Sequence, residues 1–326
     1  MAAETAGPVT VAEEDESLIR CSEWSRQNDV DPVGTAGSYS GFLLVEWPLP
    51  WPRDVSEIPA LSELAVAARR ASVRLQAVLG SPEAERSVAF YRWDSAAGSY
   101  VGYEAPAGTD AALTARRLLD GGNPPGMHPI DTVDVLVCGH GRRDRCCGSL
   151  GTALEVEIRA SGRLSGRYRV RRTTHTGGHR FAPTAVVLPE GTCWAYLDVD
   201  SLVAILDHGG NPRDLLGHYR GATGLETPGV QALEREVLGE IGWELLGWPR
   251  WGSLQEGDLV RLEIDPPDGA PRVWEARVVT RRALNPPPCG AARTGNEKPD
   301  REIAVEDVRE VPAAATSGRK SRFSLR

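Results

Sequence analysis

Two short glycine-rich segments constrain this chain more than any other feature. One is Cys138-Gly-His-Gly-Arg-Arg-Asp-Arg-Cys146-Cys147, the other His175-Thr-Gly-Gly-His179. Each follows a run that reads as a β-strand, residues 133–137 and 167–174, so both segments are strand-end loops. A helix is expected from about residue 148 to 160. That puts Cys147 at a helix N-terminus, where the backbone amides and the dipole favour a thiolate. Arg142, Arg143 and Arg145 add positive potential. Gly177 and Gly178 argue against a helix between the histidines. A loop with positive φ at the glycines is expected instead, and it lets two imidazoles approach one centre. Cys138, Cys147, His175 and His179 form a four-ligand set of soft and borderline donors. Such a set fits zinc or an iron–sulfur centre. It does not fit calcium or magnesium, which take oxygen ligands. The spacing alone does not choose between the first two. Cys193, in a predicted strand, and Cys289, in a Pro-rich loop, are expected to be ordinary packing residues, and His128, His208 and His218 to be structural or solvent-facing.

Composition sets the limits around that pattern. A formal net charge of -8 argues against a general nucleic-acid binder. No apolar run approaches the ~20 residues that a membrane helix needs, and the first residues carry no secretory signal pattern. A cytoplasmic location is therefore expected, and there cysteines are reduced, catalytic or metal-bound rather than disulfide-bonded. There is no dinucleotide fingerprint, no Walker loop and no nucleophile elbow, so neither a flavin nor a nicotinamide is expected. The nine tryptophans read as packing residues.

Five segments are expected: an acidic disordered tail over 1–19, an α/β region over 20–128, a cluster domain over 129–224, an α+β region over 225–311 and a disordered tail over 312–326. In the first α/β region a buried strand at 42–47 precedes a helix. Leu61, Leu64, Ala65, Ala68, Leu75 and Leu79 recur at helical spacing and predict that helix between Pro59 and Gly80. Strands follow at 87–93 and 99–105, then a helix at 111–119. The cluster domain runs strand, helix, strand, then an antiparallel pair at 184–189 and 192–197, then helices at 199–208 and 212–219. That is the element order of a thioredoxin-like fold. The α+β region opens with an amphipathic helix through Val230, Leu233, Val237, Ile241 and Leu245. Strands are expected at 258–264, 272–280 and 302–310, with a mobile loop at 285–300.

These residues resemble the sucrase/ferredoxin-like family, a branch of thioredoxin-like ferredoxins. The resemblance rests on CSEWSRQNDVDPVGTAGSYSGFLLVEWPLPWPRD near the start, VCGHGRRDRCCG and HTGGHRFAPTAVVLPEG in the middle, and HYRGATGLETPGVQALEREV after them. It covers roughly residues 20–245 and is only vague beyond 250. The family implies a 2Fe-2S cluster held by two cysteines and two histidines. Carried over, the ligands are Cys138, Cys147, His175 and His179, with Cys147 preferred over Cys146 because its spacing from Cys138 agrees better with the family. Pro183 falls where thioredoxin folds keep a cis-proline, so a cis Ala182–Pro183 bond is expected. The name implies no sugar chemistry, since no carboxylate pair here is assignable as a glycosidase acid and nucleophile.

The expectation is an electron carrier rather than a catalyst, working with a redox partner protein. Two alternatives are a structural zinc-binding module and, less favoured, a thiol-dependent oxidoreductase using Cys146 or Cys147. Arg142, Arg143 and Arg180 either raise the potential of the bound cofactor or are solvated surface charges. An oxidised 2Fe-2S core carries about +2, and two thiolates bring it to about zero, against about -2 for four. Imidazole ligation therefore raises the reduction potential, and reduction should favour protonation of an outer ring nitrogen that reaches solvent. The potential is expected to become more positive as pH falls. Redox titration across a pH series checks this, and a pH-independent potential would remove it.

Overall fold

The computed structural model describes residues 20–80, 85–108, 110–164, 166–289 and 299–313. The tail expected over 1–19 lies outside the described residues, as do residues 314–326 of the tail expected over 312–326 and residues 290–298 of the expected loop. In chain order the elements are α1 (Cys21–Gln27), β1 (Gly41–Glu46), α2 (Ser62–Arg70), β2 (Val73–Val78), β3 (Ser87–Asp94), β4 (Ser99–Pro106), α3 (Ala111–Leu119), β5 (His128–Pro129) and β6 (Val133–Cys138). There follow α4 (Thr152–Ser161), β7 (Tyr168–Thr173), β8 (Ala185–Leu188), β9 (Thr192–Trp194), α5 (Val199–Leu206), β10 (Tyr219–Ala222), α6 (Pro228–Ile241), β11 (Arg250–Leu254), β12 (Leu259–Ile264), β13 (Arg272–Leu284) and β14 (Asp300–Val311). The chain is mixed α/β, with a large mixed sheet and a smaller antiparallel one.

The large sheet runs β10-β9-β8-β6-β7-β2-β1-β3-β4-β5, and the small one runs β11-β12-β13-β14. β1 and β2 are parallel, as are β6 and β7. The half with β1–β5 joins the half with β6–β10 where β2 meets β7 antiparallel, at Val78 and Thr173. Every residue of β1 is buried, as expected for a strand covered on both faces. Leu64, Ala65 and Ala68 of α2 and Ala111, Ala115 and Leu118 of α3 pack with Leu43, Val45 and Leu75 on one face. On the other, Phe42, Leu44 and Tyr91 pack with Leu136, Val186 and Leu188 from the second half. α6 is capped by Thr227, whose side chain accepts from the Val230 amide, with Pro228 in its first turn. Its Val230, Leu233 and Val237 share a core with Val260, Leu262 and Trp274 of the small sheet.

The helix predicted through Leu79 ends at Arg70. Ser72 takes a left-handed conformation, φ 55°, and the chain turns into β2. Leu75 and Leu79 matched a helical spacing, but Leu75 lies in a strand buried along most of its length, where burial carries no period. β13 and β14 are longer than expected, and α1, β2, β10 and β11 were not anticipated. The Ala182–Pro183 bond is cis. Among the described residues no helix is long and apolar enough to cross a membrane.

A buried charge network spans the junction of the two halves. The fully buried Asp134 carboxylate on β6 accepts from Arg169 Nε at 2.7 Å, Arg171 Nε at 2.9 Å and Tyr91 Oη at 2.6 Å. Arg169 also bonds Glu104 at 2.7 Å, and Arg171 lies 3.5 Å from both Glu46 and Glu104. Burial pushes the Asp134 carboxyl up, but Arg171 and Arg169 outweigh it and hold it below its ordinary range. Its contribution to stability is therefore present above the unfolded carboxyl pKa, near 4, and is lost as pH falls through the lower folded value. Asp134→Ala leaves the buried Arg171 short of its main partner and should cost about 3–5 kcal/mol. It should also flatten the acid limb of stability against pH. Urea unfolding at a series of pH values measures both, and a cost below about 1 kcal/mol would show that Glu46 and Glu104 satisfy Arg171 without it.

Candidate metal centre

The parallel pairing of β6 with β7 sets Cys138 beside Thr173, so both strands open onto the same end of the sheet. Two residues past Thr173, the His175 ring carries Nδ1 4.0 Å from Cys138 Sγ and 4.0 Å from Cys147 Sγ. The ligand atoms of these three residues lie within 4.8 Å of one another. Both cysteines are fully buried. The loop between them needs close backbone approach: a Cβ on Gly151 would stand 1.9 Å from the Cys138 carbonyl oxygen, and one on Gly148 2.3 Å from Gly141 Cα. Cys147 sits in a π-helical turn, Cys147–Gly151, that leads into α4.

The first half of the sheet holds the histidine loop. Thr174 N donates to Ala77 O at 2.9 Å, and its Oγ1 accepts from Ala77 N at 3.1 Å. Gln76 Nε2 at 3.3 Å and the Arg74 guanidinium donate to the His175 carbonyl. From the other side, the His175 amide donates to His140 Nδ1 at 3.2 Å, and His140 Nε2 donates to Pro52 O at 2.6 Å. These two bonds require the tautomer with its proton on Nε2, and burial lowers the pKa of His140. Gly177 and Gly178 are both left-handed, as the loop reading required. The buried Arg220 guanidinium fills the space a Cβ on Gly178 would occupy and donates to Gly177 O at 3.3 Å.

His179 stands beside this group, its ring centroid 6.1 Å from that of His175. Its Nδ1 faces Asp144 Oδ2 at 2.8 Å and Cys21 Sγ at 3.2 Å. A histidine bonded to a carboxylate through one nitrogen keeps the other for a metal. Arg143 is exposed and lies 3.8 Å from Asp54, and Arg142 is exposed on the preceding turn. Arg180 turns away to pair with Asp300 and covers the Phe181 ring at 4.6 Å. A cleft of about 500 Å³ opens beside His175, lined by Arg53, Arg69, Arg74, Arg143 and His140.

Hydrogen bonding from Cys147, followed by the opposing effect of burial and the pull of His175, leaves the Cys138 thiol well below its ordinary pKa; Cys147 is correspondingly raised. Two buried cysteine sulfurs and an imidazole nitrogen around one point fit a thiophilic metal centre.

A second group of thiols lies on the far side of the cysteine doublet. Cys146 Sγ is 3.5 Å from Cys21 Sγ and 3.4 Å from Cys289 Sγ, and Cys289 Sγ is 3.1 Å from Asp144 Oδ1. Hydrogen bonds from Cys21 and then Cys289 pull the Cys146 thiol down to about 2, while Cys289 is pushed up to about 11, chiefly by Cys146. The packing role expected for Cys289 is therefore incomplete. Its partners are 143 and 145 residues away in sequence, beyond any local signal. Cys193 is buried in β9, and His208 stacks on Trp243 at 5.2 Å, as packing residues do.

A stretch of 58 residues is 38% identical to "Altered inheritance of mitochondria protein 32" of the yeast Meyerozyma guilliermondii. That match spans 17% of this chain and 21% of the relative. No solved structure matches the chain. The family model for sucrase/ferredoxin-like proteins matches residues 32–221, a span that contains both strand-end loops and most of the large sheet, and the chain belongs to the sucrase/ferredoxin-like family.

Proposed function

We propose that the chain is a 2Fe-2S electron-transfer protein of the thioredoxin-like ferredoxin type, its cluster held by Cys138, Cys147, His175 and His179. The observation that carries this reading is the convergence of two buried cysteines and His175 Nδ1 at the end of β6 and β7. The order β6-α4-β7-β8-β9-α5 supports the fold assignment. Such a group, when bound, supplies one-electron transfer. The chain's own residues hold and orient the ligands: His140, Gln76 and Arg74 pin the His175 backbone, and Asp144 fixes the His179 ring. Burial of both cysteines keeps water from the thiolate side, while half-buried His175 borders the arginine-lined cleft. That cleft gives a redox partner a place to dock next to a ligand, and its charge favours an acidic partner surface.

Anaerobically purified protein should show broad visible absorption that dithionite bleaches, with about two irons and about two acid-labile sulfides per chain. Cys138→Ser should remove the iron and the colour. A colourless chain whose zinc is lost in Cys138→Ser, even after anaerobic cluster reconstitution, would assign the centre to a structural zinc module instead. Electron exchange with an acidic carrier should slow as salt rises, and Arg53→Glu with Arg69→Glu should slow it at low salt by about tenfold or more. Stopped-flow reduction rates check this, and a rate indifferent to salt and to the double substitution would place docking elsewhere.

A further inference from the structure

We propose that the chain carries a second metal site, a closed zinc site formed by Cys21, Cys146 and Cys289 with the Asp144 carboxylate. The four ligand atoms lie within 4.8 Å of one another. Cys21 and Cys146 are fully buried, Asp144 is 6% exposed and Cys289 half-buried. Cysteines that merely fill apolar space do not gather around a carboxylate, because neutral thiols offer it no charge, and His179 meets only Oδ2 of Asp144 while Oδ1 faces Cys289 Sγ and the Cys146 amide. A divalent cation supplies that charge, and three sulfurs select a thiophilic one over calcium or magnesium.

The distances suit a metal better than a disulfide. Tetrahedral zinc with Zn–S bonds of about 2.3 Å sets its sulfurs about 3.8 Å apart. The sulfurs here are 3.5 Å and 3.4 Å apart, within a few tenths of that. A disulfide at about 2.0 Å would need each pair to close by more than an ångström and would strand the third thiol. Asp144 has the right bonding to be the fourth ligand. Its Oδ1 faces Cys289 Sγ and the Cys146 amide, while Oδ2 faces His179 Nδ1. On the reading proposed above, His179 keeps its other nitrogen for the iron–sulfur centre. The doublet then divides, Cys146 serving one site and Cys147 the other.

Four protein ligands leave no open position, so the site is structural. It fastens three distant pieces: the first turn of α1, the loop ahead of α4 and the stretch after β13. The test is iron and zinc analysis of the full chain, purified anaerobically from cells grown with added zinc chloride. Wild type should hold about one zinc per chain beside any iron. Cys289→Ser and Cys21→Ser should each lower zinc retention at least about tenfold against a mild chelator, with the visible spectrum of the iron centre unchanged in Cys289→Ser. Cys138→Ser should lose iron and keep the zinc. Should both serine variants fail to fold, cobalt titration of the zinc-stripped wild type should still give thiolate-to-cobalt charge-transfer and tetrahedral ligand-field bands. Zinc-free wild type without those bands would overturn the site. So would zinc lost in Cys138→Ser but kept in Cys289→Ser, or a disulfide among the three cysteines in the anaerobic protein. Failure of the iron–sulfur reading would show as an absence of iron and would leave the zinc arms of this test intact.

Discussion

The buried Asp134 carboxylate is the interaction on which the rest of the molecule depends. Backbone pairing across the middle of the large sheet is thin, since β2 and β7 meet at Val78 and Thr173. The side chains take over there. Asp134 from β6 and Arg169 and Arg171 from β7 reach Tyr91 on β3, Glu104 on β4 and Glu46 on β1. A set like this gives little net stability over an apolar equivalent, but breaking it exposes an uncompensated charge. It favours the observed registration of the two halves, in which Arg171 meets Asp134 from its own half and Glu46 and Glu104 from the other.

That registration matters because the candidate centre is built from both halves. Cys138 and Cys147 belong to the second half, as does His175. The backbone of His175, however, is held by Gln76 and Arg74 from β2, and by His140 braced on Pro52. A slip between β2 and β7 would remove the Gln76 and Arg74 donors while leaving every ligand in the chain. Covalent neighbours thus supply the ligands, and the junction of the sheet decides where they point. The two thiol groups on either side of the doublet illustrate the same division of labour. Adjacent residues on a helical turn point in different directions, so Cys146 and Cys147 face different partners.

Much of this was legible in the sequence for a physical reason. The strand ending at Cys138, the glycine loop of His175 and His179, α3 and strands β12, β13 and β14 of the small sheet follow from local patterns: apolar runs, period-two alternation, glycines tolerant of positive φ. The four expected ligands came from residue type and spacing, and three of them converge. Other features were not legible. The helix predicted through Leu79 stops at Arg70, because a strand buried on both faces imitates any period. The grouping of Cys21, Cys146 and Cys289 joins residues more than a hundred positions apart.

By itself, then, the sequence determined which donors are present, that they stand at strand ends and on glycine-rich loops, and the family to which those motifs point. Tertiary structure decided which donors share a space. It turned His179 Nδ1 to Asp144, brought Cys289 back to the N-terminal helix and set the arginine cleft beside His175. The reason is one of range. Backbone preferences and periodicity act over a few residues, whereas the shared space depends on sheet order and on a buried charge network whose members lie up to 125 residues apart.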